Sequence, residues 1–133
     1  MTQETNASNK KSAQRESSDV MDVDALIERC MGNIDFVMRV LDRFQQRFPE
    51  ELDELEEAAS LRDAQRIAML AHRIKGESAT ASASKMQQTL DEIEEMSLSG
   101  RVEEIPVRIK QLRGEWAVYR DYSASHLPKV RPE

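Results

Sequence analysis

Cysteine, glycine, proline and aromatic residues are all scarce in this chain of 133 residues, and each scarcity excludes something. The single cysteine, Cys30, permits no internal disulfide and fits a reducing compartment. Four glycines and four prolines are too few turn formers for an all-β protein, and an aromatic share of 5% argues against a large sandwich or barrel. An excess of basic charge is also missing. The formal net charge is −6, which disfavours nucleic acid as a partner, because a phosphate backbone requires a concentrated basic surface. Long apolar runs are absent too: the longest is "IAMLA", so no membrane span is expected. The opening "MTQETNASNKK" has no apolar h-region of the kind a secretory signal needs. These absences point to a cytoplasmic protein with one small core.

What is present is helical periodicity. Residues 1–19 are polar and nearly devoid of large apolar groups, which predicts a disordered tail. Residues 123–133, including His126, predict a flexible C-terminal tail on the same grounds. Between them, residues 20–122 form one domain. A short first helix is expected over about Asp22 to Met31, with Val23, Leu26, Ile27 and Cys30 on one side. Gly32 is its expected C′ residue, and Asn33 the N-cap of the next helix. Ile34, Val37, Leu41, Phe44, Phe48, Leu52, Leu55 and Ala59 then alternate spacings of three and four, forming one apolar stripe. Pro49 interrupts this stripe without shifting its phase, which predicts a kink inside one long helix. Its opposite face reads as acidic, with Glu50, Glu51, Asp53, Glu54, Glu56 and Glu57.

Asp63 is the expected cap of a third helix, with Ala64, Ile67, Ala71, Ile74, Ser78 and Ala81 inward. Ser84 is the expected cap of a fourth, with Met86, Leu90 and Ile93 inward, ending at Gly100. A fifth runs from about Val102 to Tyr122, with Val102, Ile105, Ile109, Leu112, Trp116 and Tyr119 inward and Pro106 in its first turn. Connections this short turn successive helices back on one another. The predicted fold is all-α: an up-down antiparallel four-helix bundle with a short additional N-terminal helix.

Most chemistry available to a bundle is missing. A di-iron centre requires Glu-x-x-His pairs on facing helices, and none occurs. There is no Gly-rich phosphate loop, CxxC pair or HExxH motif. Scattered methionines fill gaps in cores far more often than they ligate haem. The exception is "MLAHRIKGES", residues 69–78. His72 lies about 100° around the helix from the core residue Ala71, at the edge of the core with its ring reaching water. Ala68 and Gly76, at i−4 and i+4, leave the surface low on both sides of the ring, a shape that lets another protein approach. Lys75 and Arg73 surround the ring with positive charge, which favours a neutral imidazole and would balance an attached phosphoryl group. A lone helical histidine is nevertheless usually a boundary residue with no task. On periodicity alone, a phosphocarrier, a binding module and an inert bundle all stay open.

The stretch Ala71-His72-Arg73-Ile74-Lys75-Gly76-Glu77-Ser78 resembles the phosphorylation helix of the histidine-containing phosphotransfer (HPt) domains of two-component phosphorelays. The resemblance covers about residues 22–120, including "IDFVMRVLDRFQQRFPEELDELEEA" upstream and Met86, Leu90 and Ile93 downstream. The chain departs from the family pattern at Ser82, where a glycine is usual, and at Glu77, a position usually small or neutral. What the resemblance implies is a phosphocarrier, not an enzyme. His72 would accept and donate the phosphoryl group, Lys75 would stabilise its charge, and Gly76 would give docking clearance. Ala68, Met69, Arg73 and Glu77 would contribute to docking. Implied partners are response-regulator receiver domains and a hybrid sensor histidine kinase, with no nucleic acid, no membrane, and the chain itself a monomer. It would carry no cofactor of its own; Mg²⁺ belongs on the receiver. The alternative is a non-phosphorylated interaction module that binds a receiver or another signalling partner.

Overall fold

The computed structural model describes residues 20–126, all of it helices and turns; the two segments expected as tails fall largely outside this range. Five α-helices follow one another: α1 (Val23–Arg29), α2 (Ile34–Ser60), α3 (Ala64–Thr80), α4 (Ser84–Leu98) and α5 (Ile105–His126), with a 3₁₀ turn at Val102–Glu104 leading into α5. Among the described residues there is no strand. The long helices pack in sequence, α2 on α3, α3 on α4 and α4 on α5, and α5 returns to α2.

The stripe read from the sequence of α2 is the buried one: Val37, Leu41, Phe44, Phe48, Leu52 and Leu55 are all buried. Helix α2 continues unbroken through Pro49, and the buried phase resumes after it. Phe44 and Phe48 meet Trp116 and Tyr119 of α5, with the Phe48 and Trp116 ring centroids 4.7 Å apart. The few aromatic side chains are thus concentrated on one helix pair. Buried Tyr119 also donates its hydroxyl to the Ala81 carbonyl at 3.0 Å, fastening α5 to the end of α3, and burial pushes its pKa up.

Helix starts follow side-chain chemistry. Asp22, Asn33 and Asp63 accept backbone N–H bonds from Ala25, Phe36 and Arg66, each satisfying a donor that the first turn leaves free. The expected cap at Ser84 is wrong: Ala83 occupies the N-cap, with no side-chain bond, and Ser84 opens the helix. Helix ends share one device. After α1, α2, α3 and α4 the chain enters the left-handed region at Met31, Arg62, Ser82 and Gly100, and paired backbone bonds close the last turn, for example Ser82 N to Ala79 O and Ala83 N to Ser78 O. The residue after the α1 cap is therefore Met31, not Gly32, which follows it at φ +76°.

Two further expectations are corrected. Helix α5 continues past Tyr122 to His126, because Ser123 is buried and accepts a hydrogen bond from Gln45 of α2, so the flexible tail does not begin at residue 123. Glu51 is not part of a solvated acidic face: its side chain is only 5% exposed.

Candidate functional site

Helix α3 is oriented by its buried row, Ile67, Leu70, Ala71, Ile74 and Ser78, which packs between α2 and α4. That packing turns His72 outward, and its side chain is 70% exposed. Along α4, Leu90 and Ile93 are buried, and Asp91 and Glu94 each follow one of them by a single residue. Two i, i+3 pairs therefore face each other across the α3–α4 seam: His72 with Lys75, and Asp91 with Glu94. The His72 Nδ1 lies 3.0 Å from Glu94 Oε2, and Lys75 Nζ lies 2.9 Å from both Glu94 Oε1 and Asp91 Oδ1. One carboxylate thus bridges the ring and the ammonium. The hydrogen bonds that Lys75 donates to Glu94 and then Asp91 outweigh desolvation and raise its pKa, so it stays a cation.

This arrangement sets the tautomer. A carboxylate can only accept, so Nδ1 carries the proton and the lone pair of the neutral ring lies on Nε2. Among the described residues no protein group bonds Nε2. A free, outward-facing imidazole lone pair is a competent nucleophile.

The electrostatic reading of the sequence is corrected here. Lys75 is neutralised by Asp91 and Glu94, and Arg73 turns towards α2, where it pairs with Glu54 at 3.2 Å and Glu51 at 3.5 Å. The charge nearest the ring is a carboxylate. Sequence reasoning missed Glu94 and Asp91 altogether. The available signal was their spacing beside the buried row of α4, on the helix that follows the histidine helix by a short turn.

The other expected site residues lie as follows. Gly76 is exposed one turn beyond His72, and a Cβ built there meets no atom within 4 Å. Met69, one turn before His72, is 63% exposed. Ala68 is only 9% exposed, so it forms the floor beside the ring and offers little surface to a partner. Glu77 faces α2, where Arg47 Nη2 approaches it at 3.6 Å. Beside Glu77 lies buried Glu51, whose pKa is pushed up to about 7, chiefly by burial and then by the neighbouring Glu77 carboxyl, against the pull of Arg47 and Arg73. Its Oε1 has no partner among the described residues.

Ser82 is one departure from the family pattern. It is the left-handed residue after α3, at φ +57°, buried, with its Oγ unpartnered. A glycine there would carry no Cβ penalty. The carbonyl of Ser82 accepts from Asp22 N at 3.0 Å, and Arg29 of α1 donates to the Ala79 and Thr80 carbonyls, so α1 closes over the end of α3.

An exposed histidine with an open Nε2 suits a histidine phosphocarrier, and the comparisons place the chain in that class. The model of the Hpt domain matches residues 39–121, and the chain belongs to that family. A solved structure, histidine-containing phosphotransfer protein B (HptB) from Pseudomonas aeruginosa PAO1, is similar with a TM-score of 0.77 and 27% identity, covering 84% of this chain and 97% of that one. No curated protein matches the chain. The chain is a histidine phosphotransfer protein of a phosphorelay, a role in which Hpt domains exchange phosphoryl groups with receiver domains and kinases. Among the described residues no helix is long and apolar enough to cross a membrane.

Proposed function

We propose that His72 is the residue that carries the phosphoryl group, through Nε2, and that Glu94 is its positioning residue. The observation that carries this reading is the 3.0 Å contact between His72 Nδ1 and Glu94 on an otherwise open ring. In the forward step the Nε2 lone pair attacks the phosphorus of a receiver's aspartyl phosphate. The N–P bond forms as the acyl O–P bond breaks, and the aspartate leaves as a carboxylate. No proton need leave Nε2, and the Nδ1 proton stays on its bond to Glu94 while the ring gains positive character. The reverse step passes the group to a second receiver. Lys75 holds the other oxygen of the same carboxylate at 2.9 Å and so fixes the group that orients the ring, a role suited to a transfer that depends on positioning.

The chain itself acts as a phosphocarrier without an active site of its own; Mg²⁺ and the acidic pocket belong to the receiver. Gly76 and Met69 flank the ring as clearance and contact, with Ala68 beneath and Arg73 and Glu77 towards α2. The four long helices form an up-down antiparallel bundle, and the chain works as a cytoplasmic monomer between a hybrid sensor kinase and response regulators. Incubation with a receiver phosphorylated by radiolabelled acetyl phosphate tests this reading. Acid-labile, base-stable label on this chain is expected. Binding without label would favour the interaction module instead.

A further inference from the structure

A cleft of about 560 Å³ lies between α2 and the C-terminal half of α3. Its apolar wall is Phe36, Val40 and Phe44, of which Phe36 is 45% exposed. Three arginines, Arg39, Arg43 and Arg47, line it at successive i, i+4 steps of α2. On the α3 side it meets Glu77, which Arg47 reaches, and Thr80. Arg39 stacks over the Phe36 ring, its guanidinium carbon 5.8 Å from the centroid, and neither Arg39 nor Arg43 has a carboxylate partner among the described residues. In a chain of net charge −6, a cleft with three guanidinium groups against one carboxylate is a local reversal of sign.

The cleft shares helix α3 with the site. His72, Gly76 and Thr80 follow one another at i, i+4 and i+8 on α3, and Thr80 donates its hydroxyl to the Gly76 carbonyl. Glu77 to Ala81 therefore lie about 7 to 14 Å along the helix from His72, at about 1.5 Å per residue. A standard interface covers about 800 Å² per partner, a disc of radius about 16 Å. A receiver seated over His72 whose footprint extends across α3 towards α2 reaches this cleft.

We propose that the cleft seats an apolar side chain of the partner receiver that is flanked by carboxylates, with Arg39 and Arg43 selecting for that acidic rim. The inference rests on the phosphotransfer reading above and adds the chemistry by which one receiver is preferred over another. Guanidinium groups without ion-pair partners among the described residues can pair across an interface, and rim charges of this kind act on encounter rate and salt dependence. Phe36 and Phe44 supply the apolar contact that the arginines surround.

The test uses the full chain and isolated receiver domains from the host genome, each phosphorylated with acetyl phosphate and sorted by the charge around its aspartate. Arg39→Glu/Arg43→Glu should melt like the parent. For acidic-rimmed receivers its transfer KM should rise about tenfold or more, corresponding to roughly 1.4 kcal/mol, with kcat nearly unchanged. The rise of KM with added salt expected for the parent should disappear. Unchanged KM and salt dependence, with label still arriving on the chain, would overturn the cleft proposal and leave the phosphotransfer reading standing. A parent chain that no receiver labels would remove both. A parent that sediments as a dimer, and that the double substitution converts to monomer, would assign the cleft to a second copy and also overturn the proposal.

Discussion

Replacing Ser82 by glycine should stabilise the protein, and the sign follows from two features of this one residue. Its φ of +57° puts a Cβ where an L residue pays about 1–2 kcal/mol. Its buried Oγ has no hydrogen-bond partner, an omission that costs roughly 1–3 kcal/mol. Against these stand the greater freedom of glycine in the unfolded chain, about 0.5–1 kcal/mol, and the small void left by the lost CH₂OH, somewhat under 1 kcal/mol. The net gain is about 1–2 kcal/mol, which in a domain of this size raises Tm by roughly 4–10 °C. The backbone bonds at this turn, Ser82 N to Ala79 O and Asp22 N to Ser82 O, are kept. Denaturant unfolding of the parent, Ser82→Gly and Ser82→Ala separates the contributions. Alanine removes the unpaired hydroxyl and keeps the backbone penalty, so it should fall between the other two. A glycine variant less stable than the parent would refute the reasoning and show that the serine side chain is needed where α3 meets α4.

Three other outcomes follow from particular contacts. Glu51 holds a proton in the folded state up to about pH 7 that the unfolded chain, with the ordinary carboxylate value of 4.5, has released. Its contribution is therefore fully present below about pH 4.5 and is lost as pH rises through about 7, up to roughly 3 kcal/mol in all; the parent should lose more stability than Glu51→Gln between pH 5 and 8, and equal losses would contradict this. Glu94→Ala should let the His72 ring shift its proton from Nδ1 to Nε2, visible in ring ¹⁵N chemical shifts, and should slow phosphoryl transfer without a change in helical content; an unmoved tautomer would mean that Glu94 does not set it. Gly76→Leu should unfold at equal or higher denaturant, since leucine gains up to roughly 1 kcal/mol of helix propensity and meets open space, while transfer falls sharply; parental transfer by the leucine variant would show that this gap gives no docking clearance.

The helices were legible because their apolar spacings survive every local disturbance. Phe48, Leu52 and Leu55 keep one phase across Pro49, and the same rule put Ile67, Ala71 and Ile74 inside and His72 outside. What the pattern could not give was pairing between helices. Glu94 is one more carboxylate in an acidic stretch until α4 packs on α3 and brings it to the ring. Glu51 looked solvated because its neighbours are acidic, although its spacing of three from Phe48 and four to Leu55 places it beside the stripe. The ends of helices misled for a different reason: Met31 and Ser82 adopt left-handed backbone that glycine usually takes, and residue type alone pointed to Gly32. The end of α5 was cut short because Ser123 is small and polar, yet its hydrogen bond with Gln45 keeps it buried.

The central claim is that His72 carries phosphate on Nε2 while Nδ1 keeps its proton for Glu94. Phosphorylating the ¹⁵N-labelled chain from a receiver and recording the long-range ring correlations of its two histidines tests this directly. Phosphorus attached to Nε2 of His72, with His126 unmodified and His72→Gln unlabelled, is the predicted result. Phosphate on Nδ1 of His72, on His126, or persisting in His72→Gln would contradict the account.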